Sequence, residues 1–272
     1  LSTLFPTEVS EEVKKPPLFT PLRKLGQKRK PKIGVWGDTE TGKSHFILTC
    51  PEPIYVIDTE FGISPLAHKF KDKEIYVMET FIEDPETMKA DPLKSLSRVE
   101  EAVDSLRDVE EGTIAIDSGT DLWQWCEAYM KAEVGEIGRK MLQWDWQIAN
   151  KRYKNLMLKL LSRNTVFVIT AQPQELYLGP GQRTGIYVPR WQKQTPFWMD
   201  VVLHMEKKPL ISPEPKVKSS SQFDRLKYIQ QPRRAKYIAT VEKCRFERQF
   251  NKQVEDMTYD KLEAILKELG VM

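Results

Sequence analysis

The sequence predicts an α/β fold, a doubly wound and mostly parallel sheet with antiparallel strands added toward its C-terminal end. Two observations carry this expectation. From residue 33 onward, short apolar runs alternate with longer helix-like stretches. The first of these runs leads directly into a glycine-bounded octapeptide ending in Lys-Ser. Runs too short for a helix and rich in β-branched residues read as strands buried on both faces. Their alternation with helices implies right-handed crossovers and a parallel sheet.

The strand runs are residues 33–36, 54–57, 75–78, 113–116 and 166–170, with a further strand at 201–205 and a late one at 237–242. Before the fourth run, Leu93, Leu96, Val99, Val103 and Leu106 recur close to a helical period with charges between them. The stretch 122–161 holds Trp123, Trp125, Trp144 and Trp146, and Gly135 and Gly138 divide it into two helices. Thr258 and Gly270 bracket a terminal helix over 259–269 as N-cap and stop. Residues 1–31 carry Pro6, Pro16, Pro17, Pro21 and Pro31 among Arg23, Lys24, Lys28, Arg29 and Lys30 and read as an extended basic arm, with Lys32 closing the cluster. Residues 32–250 form the core, with mobile loops expected near 176–198 and 207–231, and 251–272 the C-terminal helix.

Bulk composition excludes several classes. With 272 residues, 40% of them hydrophobic, the chain is long enough for a substantial core. Its 42 Lys and Arg against 39 Asp and Glu give a net charge of +3, so any basic surface must be local. Cys50, Cys126 and Cys244 are too scattered for a disulfide frame or a zinc site. No apolar run approaches the ~18 residues of a membrane span, and no signal peptide opens the sequence, so a cytoplasmic location without a membrane partner is expected.

Gly37-Asp38-Thr39-Glu40-Thr41-Gly42-Lys43-Ser44 satisfies G-x-x-x-x-G-K-[ST] between a strand and a helix-compatible run. Backbone N–H groups of such a loop wrap phosphate oxygens at a helix N-terminus. Lys43 is then expected to reach the β- and γ-phosphates and Ser44 to bind Mg²⁺ through its hydroxyl. The run 113–118, Thr-Ile-Ala-Ile-Asp-Ser, is an apolar strand ending in a carboxylate, a Walker B shape that makes Asp117 the second metal residue.

A third carboxylate points to a subclass. In AAA-type ATPases the catalytic glutamate directly follows the Walker B aspartate, whereas here Ser118 holds that place. The sequence Val56-Ile57-Asp58-Thr59-Glu60 instead resembles the corresponding strand of RecA and of the archaeal and eukaryotic strand-exchange recombinases. That resemblance makes the chain a RecA-like P-loop ATPase and Glu60 the base that activates water, on a strand expected beside the phosphate-loop strand. It also makes Gln172, at the end of the strand 166–172, the residue that senses the γ-phosphate. Val241-Glu242-Lys243-Cys244-Arg245 resembles the Lys-x-Arg pair that RecA and KaiC relatives insert onto a neighbour's ATP, which implies a homo-oligomer with Lys243 and Arg245 acting in trans. Within the group the chain looks similar to small phage and archaeal-element ATPases related to single-strand annealing proteins. ATP is expected over GTP, because Asn251-Lys252-Gln253-Val254 lacks the aspartate of a guanine box.

In RecA relatives the loop after the sensor strand holds single-stranded DNA. Here the segment 176–198 interleaves Arg183, Arg190 and Lys193 with Tyr177, Tyr187 and Trp191, offering cations to phosphates and rings to bases. The expectation is an ATP- and Mg²⁺-dependent protein of recombination or annealing. The alternatives are a signalling or motor ATPase of the KaiC or packaging type and a non-hydrolysing, ATP-gated scaffold. Phe19 in the arm is a further expected anchor for assembly.

Overall fold

The structure is a computed structural model that describes residues 29–135, 141–179, 181–209, 235–247 and 251–271. In chain order the elements are β1 (Lys32–Gly37), α1 (Lys43–Leu48), β2 (Ile54–Asp58), a 3₁₀ turn (Ser64–Lys69), β3 (Ile75–Glu79), β4 (Glu83–Asp84), β5 (Lys89–Ala90), α2 (Pro92–Ser105), β6 (Thr113–Asp117) and α3 (Gly119–Val134). They continue with α4 (Trp146–Leu161), β7 (Val166–Ala171), β8 (Pro173–Gly179), β9 (Gln182–Pro189), α5 (Thr195–Trp198), β10 (Val201–Pro209), β11 (Ala235–Cys244), β12 (Gln253–Glu255) and α6 (Tyr259–Glu268).

One sheet organises the molecule, in the order β12-β11-β10-β1-β7-β6-β2-β3. From β10 to β3 every neighbouring pair is parallel, while β11 and β12 join antiparallel. This is the expected α/β architecture, including the antiparallel addition. Successive strand residues point to opposite faces, so each face builds its own core. Trp36, Ile57, Ile114, Ile116, Phe167 and Ile169 meet α2, α3 and α4 on one side. Ile33, Val35, Val56, Ala115 and Val168 meet α1 and α6 on the other. Buried Leu96, Val99 and Val103 are the inward stripe of α2, whereas Leu93 of the same period is 42% exposed. Gly135 ends α3 in the left-handed conformation, and Thr258 caps α6 by accepting from the Lys261 N–H at 3.4 Å.

Three expectations are corrected. The strand that carries Glu60 is not the neighbour of β1, because β7 and β6 lie between them. The chain crosses far over the sheet after α1, and later strands fill the gap. Residues 176–198 are not a loop but a β-hairpin, β8 with β9, followed by the short α5. Gly181, directly before β9, takes the left-handed conformation with φ +76°. Lys32, counted with the basic arm, is fully buried on β1. The C-terminal helix α6 packs into the core through Tyr259, Leu262, Ile265 and Leu266. The arm through residue 28 with Phe19, Gly138, and residues 210–234 with Arg225, Tyr228, Arg233 and Arg234 lie outside the described residues.

Candidate nucleotide-hydrolysis site

Ligands of open α/β sheets bind beyond the carboxyl ends of the strands. There, a cleft of about 1140 Å³ is lined by residues 38–45 together with Glu60, Asp117 and Gln172, and it extends to Leu66, Tyr237 and Met257 at its far end. β1 is buried at every position and delivers Gly37 to this edge. A side chain at Gly37 would place its Cβ 2.1 Å from the Met205 carbonyl oxygen of β10, so only glycine lets the two backbones pass. Gly42 N-caps α1, and the Phe46 N–H bonds the Gly42 carbonyl at 2.9 Å. Lys43 folds over its own loop, donating from Nζ to the carbonyls of Gly37 at 2.9 Å and Asp38 at 2.8 Å. Burial holds its ammonium below the usual lysine range, against the opposing pull of Asp117, Glu60 and Asp38. Glu40 at the loop tip pairs with Lys207 of β10 at 2.6 Å.

Asp117 ends β6 with 2% exposure. Its carboxylate accepts from Ser44 Oγ at 2.6 Å and from the hydroxyl of Thr170 on β7. Burial pushes this carboxyl up to about 6, with the Ser44 and Thr170 hydroxyls pulling it back. The Ser44 and Asp117 oxygens suit a hard cation, and Gly62 keeps the space beside them open. A Cβ on Gly62 would stand 3.3 Å from Ser44 Oγ and 3.4 Å from Asp117 Oδ2. The two residues therefore fit Mg²⁺, which takes one or two protein oxygens and completes its shell with phosphate and water. No cluster of three or more His, Cys, Asp or Glu that could hold a metal occurs among the described residues.

Glu60 reaches the cleft although its strand is distant from β1. The reason is Asp58, whose buried carboxylate accepts the N–H groups of Glu60 at 3.0 Å, Gly62 at 3.2 Å and Ile63 at 3.1 Å. Three bonds to one side chain bend the chain back across the strand ends and aim Glu60 inward. There Gln172 Nε2 donates to Glu60 Oε1 at 2.9 Å. Gln172 is fixed in turn through its own N–H, which donates to Thr120 Oγ1 at 3.0 Å. The sequence reading missed Asp58, Thr170 and Asp121. Asp121, a carboxylate four residues past Asp117 on the first turn of α3, was the available signal.

The remaining expected site residues lie elsewhere. Lys243 and Arg245 are at the opposite end of the sheet, since Lys243 pairs with Val202 near the start of β10 whereas the phosphate loop follows the Gly37–Met205 pair. Lys243 Nζ donates to the carbonyls of Pro196 and, at 2.8 Å, Met199. Arg245 donates to the Phe197 carbonyl at 2.6 Å and pairs with buried Asp200 at 3.0 Å. Both side chains are thus engaged by residues 196–200 of their own chain. On the hairpin and after it, Arg183, Tyr187, Arg190 and Lys193 are exposed. Trp191 corrects the expectation of a stacking ring: it is 5% exposed and packs against Gly34 of β1 and Met199. The Arg190 N–H bonds the Gln172 carbonyl at 2.8 Å, which closes the hairpin and returns the next residue to the core.

A phosphate loop and a Walker B-type carboxylate at the strand ends of one parallel sheet, with Glu60 lining the same cleft, define a P-loop nucleotide-binding domain of the ATPase kind. Residues 29–234 match the AAA domain family, and the chain belongs to that family. Within it, Ser118 rather than a glutamate follows Asp117, and Glu60 lines the same cleft. Among solved structures the chain is similar to a prototypical ATPase from the type III secretion system of pathogenic bacteria, with 12% identity, a TM-score of 0.40, and 65% of this chain and 52% of that one covered. It is also similar to the assembled ATPase EscN from the type III secretion system of enteropathogenic E. coli, with 13% identity, a TM-score of 0.38, and coverage of 65% and 43%. The chain spans about half the length of these structures (52% and 43%). No curated protein matched the sequence. No helix among the described residues is long and apolar enough to cross a membrane.

Proposed function

We propose that this chain is a Mg²⁺-dependent ATPase whose hydrolysis is coupled to single-stranded DNA in recombination or annealing. The observation that carries the reading is the 2.9 Å bond from Gln172 Nε2 to Glu60 Oε1. Gln172 is the residue directly before hairpin β8–β9, so the amide that touches the hydrolytic carboxylate is also the hinge of the exposed basic and aromatic ribbon. In this reading Lys43 exchanges the Gly37 and Asp38 carbonyls for β- and γ-phosphate oxygens, and the N–H groups of residues 37–44 cradle the β-phosphate. Ser44 and Asp117 would hold Mg²⁺, which when bound neutralises phosphate charge. Glu60 orients the attacking water and accepts its proton. Arg183, Arg190 and Lys193 meet backbone phosphates and Tyr187 stacks on a base.

The testing experiment is ATP turnover with and without single-stranded DNA, together with DNA binding in the presence and absence of a non-hydrolysable ATP analogue. DNA-stimulated turnover and analogue-tightened binding are expected, since both ligands favour one state of Gln172. Turnover indifferent to DNA, with no nucleotide-dependent binding at modest salt, overturns the DNA coupling and favours a motor or signalling ATPase. Nucleotide binding without turnover favours a scaffold.

A further inference from the structure

The nucleotide cleft has a wall that the phosphate-binding residues do not account for. Its lining continues from the phosphate loop to Tyr237 and Ile238 of β11 and to Asp256, Met257 and Thr258, the residues between β12 and α6. All five lie beyond residue 234, where the match to the AAA domain family ends. Sheet order sets a direction across the cleft. Asp117 and Glu60 follow β6 and β2 on one side of β1, whereas β11 and β12 lie on the other side, past β10. A triphosphate whose terminal phosphate faces Asp117 and Glu60 therefore carries its nucleoside toward β11 and α6.

Hydrogen bonds fix this wall to the phosphate loop. The Asp256 N–H donates to the Tyr237 carbonyl at 2.9 Å. Lys261 Nζ of α6 donates to the carbonyls of Glu255 at 2.7 Å and Asp256 at 3.0 Å. The Tyr259 N–H donates to Thr49 Oγ1 at 2.9 Å, and Thr49 is the C-cap of α1, the helix that the phosphate loop opens. One short turn thus joins β11, α6 and the phosphate-loop helix. The groups it presents suit a base: small-molecule sites combine apolar and aromatic surface with a few placed polar groups. Tyr237 is 38% exposed and offers a ring, Met257 supplies a polarisable thioether, and Asp256 supplies a carboxylate from an exposed turn with φ +47°.

We propose that Tyr237, Asp256 and Met257 form the base subsite of the cleft and select adenine, which packs on Tyr237 and Met257 while its 6-amino group donates to the Asp256 carboxylate. The inference rests on the reading of the cleft as an ATP site. A carboxylate only accepts hydrogen bonds, so the 6-carbonyl that guanine carries in place of the amino group would meet it acceptor to acceptor. Base choice is then made by the C-terminal segment, outside the residues that match the family.

The test is titration calorimetry with ATP, GTP, purine riboside triphosphate and inorganic triphosphate, each with Mg²⁺. Wild-type protein that binds neither ATP nor inorganic triphosphate removes the reading of the cleft, and the inference with it. Inorganic triphosphate bound as tightly as ATP leaves that reading standing and overturns the inference alone. Tyr237→Ala is expected to weaken ATP about tenfold with inorganic triphosphate unchanged, and Tyr237→Phe, which keeps the ring, to hold ATP affinity. Wild-type protein should prefer ATP about tenfold over purine riboside triphosphate, which lacks the 6-amino group, and should also prefer it over GTP. Asp256→Gly, which suits a positive φ, should erase both preferences. If Tyr237→Ala does not fold by circular dichroism, Asp256→Gly and the analogue series carry the test. Equal losses of ATP and inorganic triphosphate in Tyr237→Ala, or unmoved preferences in Asp256→Gly, would overturn the proposal.

Discussion

At Lys43 the ammonium spends its hydrogen bonds on two carbonyls of its own loop, 2.9 and 2.8 Å away. A phosphate ligand replaces these neutral acceptors with charged ones. Lys43→Ala should therefore weaken ATP binding by about 10- to 100-fold, the equivalent of about 1.5–3 kcal/mol for bonds to charged groups, as titration calorimetry would read. Asp117→Asn should remove the Mg²⁺ dependence of binding while leaving affinity in EDTA nearly unchanged, and equal losses in both conditions would end its metal role. Lys32 yields a stability prediction. It is fully buried, its Nζ donating to the carbonyls of Arg163 and Thr165 at 2.8 Å each. Burial, followed by the charge of Arg29, lowers it from 10.5 to about 8. Between those values the unfolded chain binds the extra proton, so the Lys32 contribution to stability increases as pH rises through the window from about 8 to 10.5. Lys32→Met should flatten that rise in denaturant titrations at successive pH values.

At the scale of elements, hairpin β8–β9 is separate from the main sheet and pairs only with itself among the described residues. Leu178 at 80%, Ile186 at 57% and Tyr187 at 56% exposure give it exposed apolar side chains that the main sheet does not cover. Replacing Arg183 and Arg190 together with alanine should weaken single-stranded DNA binding for all sequences alike. It should also reduce the slope of log K against log salt by about 1.4, from about 0.7 per phosphate contact. An unchanged slope in a filter-binding series would take the ribbon out of the DNA site. Trp191→Ala should act differently from a stacking residue: its ring fills the space over Gly34, and its loss should cost about 3–5 kcal/mol of stability. Sequence alone could not separate these cases, because Trp191 and Tyr187 sit in the same basic, aromatic context and differ only in the closure made by the Arg190 N–H.

At the scale of the whole molecule, the phosphate loop and the Lys243–Arg245 pair lie at opposite ends of one sheet. A role for that pair at a nucleotide therefore requires a second copy stacked end to end, and release from the carbonyls of Pro196, Phe197 and Met199. Arg245→Ala and Glu60→Gln proteins, each inactive alone, should regain ATPase activity when mixed, through interfaces that join an intact Glu60 to a neighbour's intact Arg245. No recovery in a mixed oligomer verified by light scattering would leave Arg245 as the partner of Asp200 that the fold makes it.

The sequence by itself determined the parallel strands, the helices between them and the phosphate loop, because each rests on local periodicity or on a spacing within a few residues, whereas Glu60 and Gln172 became candidates only through resemblance to RecA strands. The tertiary structure alone decided the order of strands, and with it the insertion of β6 and β7 between β1 and β2. It decided too that Asp58 spends its carboxylate on the turn that brings Glu60 to Gln172 across that gap. Burial of Trp191 and Lys32, and the setting of Asp121 against Thr59, were likewise its decisions. These are contacts between residues up to 168 positions apart, such as the Lys32 N–H on Asp200. The physical reason is that side chains of one type serve core or surface alike, and only the packing of distant strands fixes which side of the boundary each one occupies.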